Sequence, residues 1–334
     1  MLHACRLLMK LRLRALLLFP ILICGLQAEP TITPESAGFQ KAITDLAEAS
    51  QMNVGIAIKN LATGEEFLHN ADDVFPQGSS IRIHIVAELY RQAAAKKVSV
   101  DEPRAFPESA RTSGFGVLSH MGKGTVLMSL HDYAVLMIMV NDNSAANFLT
   151  DVLGMDAINA SLAAQGTPEI KVQRKALPRQ ESQPTPDNVG TPRAVMRSLE
   201  LLHQGEVVDR STSDAILKVI ALPEVSYFRR NLPPGIAFAG RSGSGPTSRC
   251  DTGIVMLKEQ PYILCVMLKD IPQSPVGGPK FAKADALISR VTQLAQQFFS
   301  AKSASDAAKP ANEPPPPPQA TPSSSSGKTT PASS

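Results

Sequence analysis

"FPQGSSIRIHIV", residues 75 to 86, gives the first indication of the fold. Two serines stand in front of an apolar run with helical spacing, which predicts a helix beginning near Ser79. At that position the helix dipole favours negative charge on the serine hydroxyl. Arg82 follows three residues later, and its pKa above ~12 keeps it protonated at neutral pH. The stretch therefore predicts a serine beside a cation that donates hydrogen bonds but cannot act as a base.

The two ends of the 334-residue chain differ from its middle. Residues 1 to 28 combine a positively charged front, a short apolar run and a small final residue, which predicts a cleaved secretory signal peptide. A lipid-anchored Cys24 is the alternative. Residues 301 to 334 are rich in proline, serine and alanine, which predicts a disordered tail. We expect one domain over residues 29 to 300, in a periplasmic or secreted protein without a membrane span after signal cleavage.

The formal charge of +3 originates in the predicted signal peptide. That segment holds four basic residues and no acidic residue, so its removal changes +3 to −1. Such a balance argues against a nucleic-acid partner. The histidines outside residues 75 to 86 lack metal-ligand spacing, so the sequence predicts no metal and no cofactor.

Cys250 and Cys265 are the cysteines that lie outside the signal peptide. They fall on two predicted strands joined by a turn near Glu259, which places Cys265 opposite about residue 254. Four residues of strand span ~13 Å, which exceeds the reach of a disulfide. We therefore expect two free thiols.

The order of the segments predicts an α+β fold. An amphipathic helix comes first and a hairpin follows, whereas Ser129 and Thr191 stand at cap positions in a long helical insert. Strands are expected at about 236–240, 251–257 and 261–269, before a closing helix. Tight turns between neighbouring strands predict an antiparallel sheet. We expect the N- and C-terminal helices to flank this sheet, with the insert as an all-helical lobe.

Three short motifs follow one another along the chain: Ser79-Ser80-Ile81-Arg82, Asn141-Asp142-Asn143 and Arg241-Ser242-Gly243. In order and separation they resemble the Ser-x-x-Lys, Ser-Asp-Asn and Lys-Thr-Gly motifs of class A β-lactamases and penicillin-interacting serine hydrolases. The resemblance covers about residues 38 to 300. It implies a β-lactamase/transpeptidase-like fold and a small-molecule β-lactam or cell-wall peptide as partner.

The resemblance also implies roles for individual residues. Ser79 matches the nucleophile, Arg82 the basic lysine and Asn141 the hydroxyl that relays a proton, so these three are the candidate catalytic residues. The N–H groups of Ser79 and Ser244 match the oxyanion donors. The glutamate that positions the hydrolytic water has no secure counterpart, although Glu181 lies nearby. The candidate substrate-binding residues are Asn143, Arg241, Ser242, Gly243 and Ser244.

Departures from the family motifs affect proton transfer most. Deprotonating an arginine such as Arg82 at pH 7 costs at least roughly 7 kcal/mol, and the amide of Asn141 does not shuttle protons. Arg241 keeps a positive charge that suits a ligand carboxylate. The sequence thus predicts an intact carboxylate-binding half and a weakened acylation half. For Arg82, a buried ion pair with Asp142 or Glu181 is the alternative to a ligand contact.

Three functions remain open at this point. The first is an exported β-lactamase-like serine hydrolase that recognises a β-lactam or a cell-wall peptide carboxylate, with weakened acylation. The second is a catalytically silent binding or sensor module with the same pocket. The third is an active hydrolase of an unknown ester or amide. That hydrolase would use either substrate-assisted proton transfer or a shifted pair, Ser80 and His84, which share a helix face. A histidine packed in the core is the alternative for His84.

Overall fold

A computed structural model describes residues 33–122, 124, 126–176, 186–224, 226–272 and 281–308. The predicted signal peptide, Glu181 and most of the predicted tail lie outside these residues. The helices are α1 (Pro34–Ala49), α2 (Arg82–Ala94), α3 (Leu130–Met139), α4 (Asn143–Leu153), α5 (Met155–Ala164), α6 (Pro192–Gln204), α7 (Arg210–Ile220), α8 (Tyr227–Asn231) and α9 (Phe281–Ala308). The strands are β1 (Asn53–Asn60), β2 (Glu66–His69), β3 (Phe75–Pro76), β4 (Pro103–Ala105), β5 (Leu127–Ser129), β6 (Val189–Gly190), β7 (Ala237–Ser244), β8 (Arg249–Met256) and β9 (Tyr262–Lys269).

The main sheet has five strands in the order β2-β1-β9-β8-β7, and all neighbouring pairs are antiparallel. This architecture confirms the predicted α+β fold. The sheet is continuous because β9 returns between β1 and β8, which pairs the first and last strands of the domain. Strand β7, which carries the third motif, lies at the edge of the sheet.

Alternate residues of β9 face two different hydrophobic cores, as the two-residue period of a strand requires. Leu264 and Val266 pack in a core that also contains Ile43 of α1 and Ile288 of α9. Their neighbours on β9, such as Cys265, belong to the core of the helical lobe. Both faces of the sheet are therefore covered, one by the terminal helices and the other by the helical insert.

Sequence signals at the helix ends agree with the structure. Ser129 and Asp132 form a capping box at the start of α3. Thr191 accepts a hydrogen bond from the backbone of α6, whose C-cap Gly205 has a left-handed conformation. Helix α9 continues to Ala308, beyond residue 300, where the tail is predicted to begin. Its last eight residues include four alanines, the strongest helix former.

The hairpin of β8 and β9 differs in register from the expectation. Cys265 pairs with Thr252 rather than with about residue 254, because the hairpin is centred one residue earlier. Both cysteines are nevertheless free, as predicted. No helix within the described ranges is long and apolar enough to cross a membrane.

Candidate active site

The edge strand β7 packs tightly against the short 3₁₀ turn Gly78–Ile81, which carries Ser79. A side chain at Gly243 would place its Cβ 2.9 Å from the backbone nitrogen of Ser79. One at Gly78 would meet the backbone nitrogen of Ser244 at 2.5 Å. Because both positions are glycine, the backbone nitrogens of Ser79 and Ser244, which match the oxyanion donors, can lie at the same site. The α-helix begins at Arg82, three residues later than the sequence predicts.

The second motif is held in place by the carboxylate of Asp142. This buried side chain caps α4 by accepting a bond from the backbone of Ala145 at 2.9 Å. It also accepts bonds from the backbone of Val117 at 2.6 Å and Leu118 at 2.8 Å. A single carboxylate thus fixes both α4 and the preceding loop, which positions Asn141 and Asn143 on either side of it.

Arg82 is buried, with 3% of its surface exposed. Its guanidinium donates to Asn143 Oδ1 at 2.5 Å and to the Met137 carbonyl at 3.1 Å. It forms no ion pair with Asp142, so the ion pair considered as an alternative is absent for this partner. Burial and the nearby Arg241 lower the pKa of Arg82 to about 9, although Asp142 opposes the change. Arg82 therefore remains a cation at neutral pH.

Arg241 is also buried, and its charge is already paired. Its Nη1 lies 2.9 Å from Glu224 Oε2, and its Nη2 donates to Asn141 Oδ1 at 2.8 Å. A further bond reaches the carbonyl of Ile138. Arg241 and Glu224 side chains are 3% and 2% exposed. The sequence suggested a cation available to a ligand carboxylate, whereas Arg241 is paired with a carboxylate of its own chain.

Burial shifts the pKa values of Glu224 and of the charged groups around it. Burial raises the pKa of Glu224, although Arg241 and the donors of Ser242 oppose the change. Burial lowers the pKa of Arg241, which Glu224 and Asp251 oppose. An arginine starts so far above neutral pH that it keeps its proton, so the pair is ionic. Asp251 lies opposite Ser242 on β8, and burial, with Glu224 next, raises its pKa to about 7.

The hydroxyl of Ser79 makes no hydrogen bond with any residue that the structure describes. The neighbouring Ser80 is fully buried and bonds to the Gln77 carbonyl at 2.8 Å and to Cys250 Sγ at 3.2 Å. Imidazole Nε2 of His84 is buried without a partner, and burial lowers its pKa to about 4. The Ser80–His84 pair is therefore not formed, and His84 lines a small internal cavity with Glu88 instead.

The structure thus brings the three motifs together at one site. Asn143 contacts Arg82, Asn141 contacts Arg241, and Gly243 contacts the turn that carries Ser79. The important residue that the sequence analysis missed is Glu224. A single glutamate in the irregular segment between α7 and α8 carries no local sequence signal for such a contact, which forms only in the folded chain. The described residues contain no cluster of side chains that would hold a metal.

Comparison with known sequences gives a consistent picture. The profile described as "Beta-lactamase enzyme family" matches residues 38–299. A β-lactamase of Streptomyces cellulosae is 25% identical over 256 residues, which cover 73% of this chain and 81% of that protein. β-Lactamase AER-1 of Aeromonas hydrophila is 20% identical over 234 residues, covering 67% and 76%.

Solved structures support the same fold. A β-lactamase from Sphaerobacter thermophilus superposes with a TM-score of 0.71 at 24% identity, over 79% of this chain and 98% of that chain. PBP-A gives a TM-score of 0.70 at 22% identity, over 81% and 100%. A variant of PBP-A, solved as an acyl-enzyme complex with penicillin G, gives 0.69 at 21% identity, over 79% and 97%.

Proposed function

The chain belongs to the β-lactamase enzyme family, and from that premise we propose that it is an exported acyl-binding member with weakened chemistry. Its site binds a β-lactam or a related acyl compound, such as a cell-wall peptide. Ser79 accepts the acyl group slowly, and rapid turnover does not follow.

The environment of the Ser79 hydroxyl is the observation that carries this proposal. The hydroxyl has no protein partner among the described residues. Arg82 stands at the position of the basic lysine but remains protonated, and both of its terminal nitrogens are already engaged. A serine hydroxyl without a base reacts slowly, because activation of the nucleophile by a neighbouring base is a main source of its rate.

Acylation of Ser79 can use the backbone groups that match those of the family. Acylation forms a bond from Ser79 Oγ to the carbonyl carbon and breaks the lactam C–N bond, while the serine proton passes to the nitrogen. The backbone N–H groups of Ser79 and Ser244 suit the oxyanion that forms on the way. In the absence of a side-chain relay, the proton travels through water or the substrate itself.

A silent binding module is the second candidate, and the contact between Asn141 and Arg241 favours it. The Asn141 amide stands at the proton-relay position but accepts a bond from a cation at 2.8 Å. An amide held in this way does not pass a proton to a leaving group. The two candidates differ in a single property, which is covalent modification of Ser79.

Intact-mass spectrometry separates the two candidates. The mature protein is incubated separately with penicillin G and with a fluorophosphonate, and each mass is followed for hours beside Ser79→Ala. A slowly growing adduct, absent in Ser79→Ala, is the result expected of the weakened enzyme. Binding of penicillin without any adduct favours the silent module. An adduct that persists in Ser79→Ala and vanishes in Ser80→Ala would refute the assignment of Ser79.

A further inference from the structure

The carboxylate of Glu224 is bound by the donors of the third motif. Its Oε2 lies 2.9 Å from Arg241 Nη1 and 3.3 Å from the hydroxyl of Ser242. Its Oε1 accepts from the backbone N–H of Ser242 at 3.3 Å. A guanidinium, a hydroxyl and a backbone N–H thus converge on one carboxylate, and this carboxylate comes from the chain itself.

A ligand carboxylate at the third motif would have to approach this internal carboxylate. Like charges that face each other across a contact cost several kcal/mol. Arg241, the cation of the third motif, is already paired with Glu224 at 2.9 Å in an ion pair that is almost fully buried. Its charge is therefore not available to compensate a second anion.

Two exposed apolar residues are connected to the second motif through the backbone. Phe115 is 62% exposed and Val140 is 42% exposed, although both are large hydrophobic residues. Phe115 is tied to the site because its carbonyl accepts from the backbone N–H of Asn143 at 3.0 Å. Val140 directly precedes Asn141. An exposed apolar border favours a ligand whose corresponding part is uncharged.

We propose that Glu224 is a specificity-determining residue that weakens binding of ligands carrying a carboxylate and gives the site a preference for neutral acyl compounds. The ligand class is an uncharged ester or amide, including an uncharged β-lactam. This inference rests on the proposed function, since it concerns the acyl-binding site of Ser79. In the reaction, Ser79 Oγ bonds to the carbonyl carbon, the C–O or C–N bond breaks, and the serine proton goes to the leaving oxygen or nitrogen.

Penicillin G and its methyl ester form the matched pair of probes, since they differ only at the carboxylate. Calorimetric titration of Ser79→Ala with each probe measures binding without chemistry. We expect the ester to bind at least about tenfold more tightly than the acid, because the acid meets the charge of Glu224. Glu224→Gln in the same background should tighten binding of the acid by about tenfold or more and leave the ester within about threefold. Glu206→Gln changes an exposed glutamate and is the matched control.

A second variant, Glu224→Ala, tests the same role through the melting temperature rather than through ligand binding. Loss of the Glu224 charge leaves Arg241 buried without its partner, which destabilises a fold. Glu224→Ala should therefore melt at a lower temperature than the wild type, and acetate should restore part of that loss by occupying the vacated position beside Arg241. Acetate should not raise the melting temperature of the wild type or of Glu206→Gln.

The outcomes separate this inference from the proposed function. Tighter binding of the acid than of the ester by the Ser79→Ala protein, or no change in acid binding with Glu224→Gln, overturns the role of Glu224 and leaves the proposed function standing. Failure of Glu224→Ala to respond to acetate also overturns that role. Absence of binding by both probes, together with no adduct on wild-type Ser79, overturns the proposed function and the inference with it.

Discussion

Arg82→Lys changes one buried side chain. It tests whether acylation of Ser79 is slow because the residue at this position does not accept a proton. In the wild type, burial and the neighbouring Arg241 lower the pKa of Arg82 from 12.5 to about 9. Removing its proton at pH 7 therefore costs about 3 kcal/mol rather than the roughly 7 kcal/mol of an exposed arginine. About one guanidinium in a hundred is neutral at that pH, which is too few for an efficient base.

A lysine in the same environment has a different protonation state. Its ordinary pKa is about 10.4, and the same lowering brings it to about 7, where roughly half of the amines are neutral. The neutral fraction therefore rises about fiftyfold. We expect the rate constant for acylation by a neutral β-lactam, penicillin G methyl ester, to rise by about the same factor, since a general base acts through its neutral fraction.

The assay is intact-mass spectrometry at several times after mixing, at pH 7. A stable adduct should accumulate on Arg82→Lys, because the sequence offers no secure match for the glutamate that activates the hydrolytic water in the family. Arg210→Lys, which changes an exposed arginine, should match the wild type, and Ser79→Ala in the Arg82→Lys background should show no adduct. The reasoning is refuted if Arg82→Lys keeps the melting temperature of the wild type and its acylation rate does not increase.

Three further predictions concern stability and processing. Asp142→Ala removes a carboxylate with three backbone donors and should lower the free energy of unfolding by about 3 kcal/mol or more in urea titrations; less than about 1 kcal/mol would contradict its role. Burial raises the pKa of Asp251 to about 7, above its unfolded value of about 3.9, so the folded state holds a proton that the unfolded chain releases. The contribution of this proton to stability is complete below pH ~3.9 and is lost as the pH rises to ~7, by up to about 4 kcal/mol. Asp251→Asn should flatten this part of the curve of unfolding free energy against pH, and an unchanged curve would contradict the raised pKa of Asp251. Residues 1–28 should be absent from the exported protein by N-terminal sequencing, whereas a lipid-modified Cys24 at its N-terminus would overturn that cleavage site.

The fold could be predicted from local patterns because each pattern has a local physical cause. Ser129 and Thr191 are N-caps in the structure since their hydroxyls accept hydrogen bonds from the backbone N–H groups three residues further on. Strands β8 and β9 follow from runs of apolar and β-branched residues with a short turn between them. The predicted partner of Cys265 was wrong by two residues, because moving the centre of a hairpin by one residue moves each partner by two.

The candidate site could be predicted in part. The three motifs revealed Ser79, Asn141 and Arg241, whose side chains or backbones meet in the folded chain. The partner of Arg241 could not be predicted, because Glu224 lies 17 residues away in an irregular segment. Side-chain pairing across such a distance depends on how the segment between α7 and α8 packs against β7, which no sequence period encodes. The Ser79 hydroxyl has no hydrogen-bond partner among the described residues, which is likewise a property of the assembled site.

Hydrolysis of penicillin G methyl ester by the purified wild-type protein shows whether a base activates Ser79. Arg82 stays protonated at neutral pH, so Ser79 lacks the activation that rapid turnover requires. The β-lactam absorbance is followed at pH 7 beside Ser79→Ala. We predict that the wild type loses absorbance no faster than Ser79→Ala over many minutes. Rapid hydrolysis that Ser79→Ala abolishes would contradict the account, since it would require a base that activates Ser79 in the wild-type site.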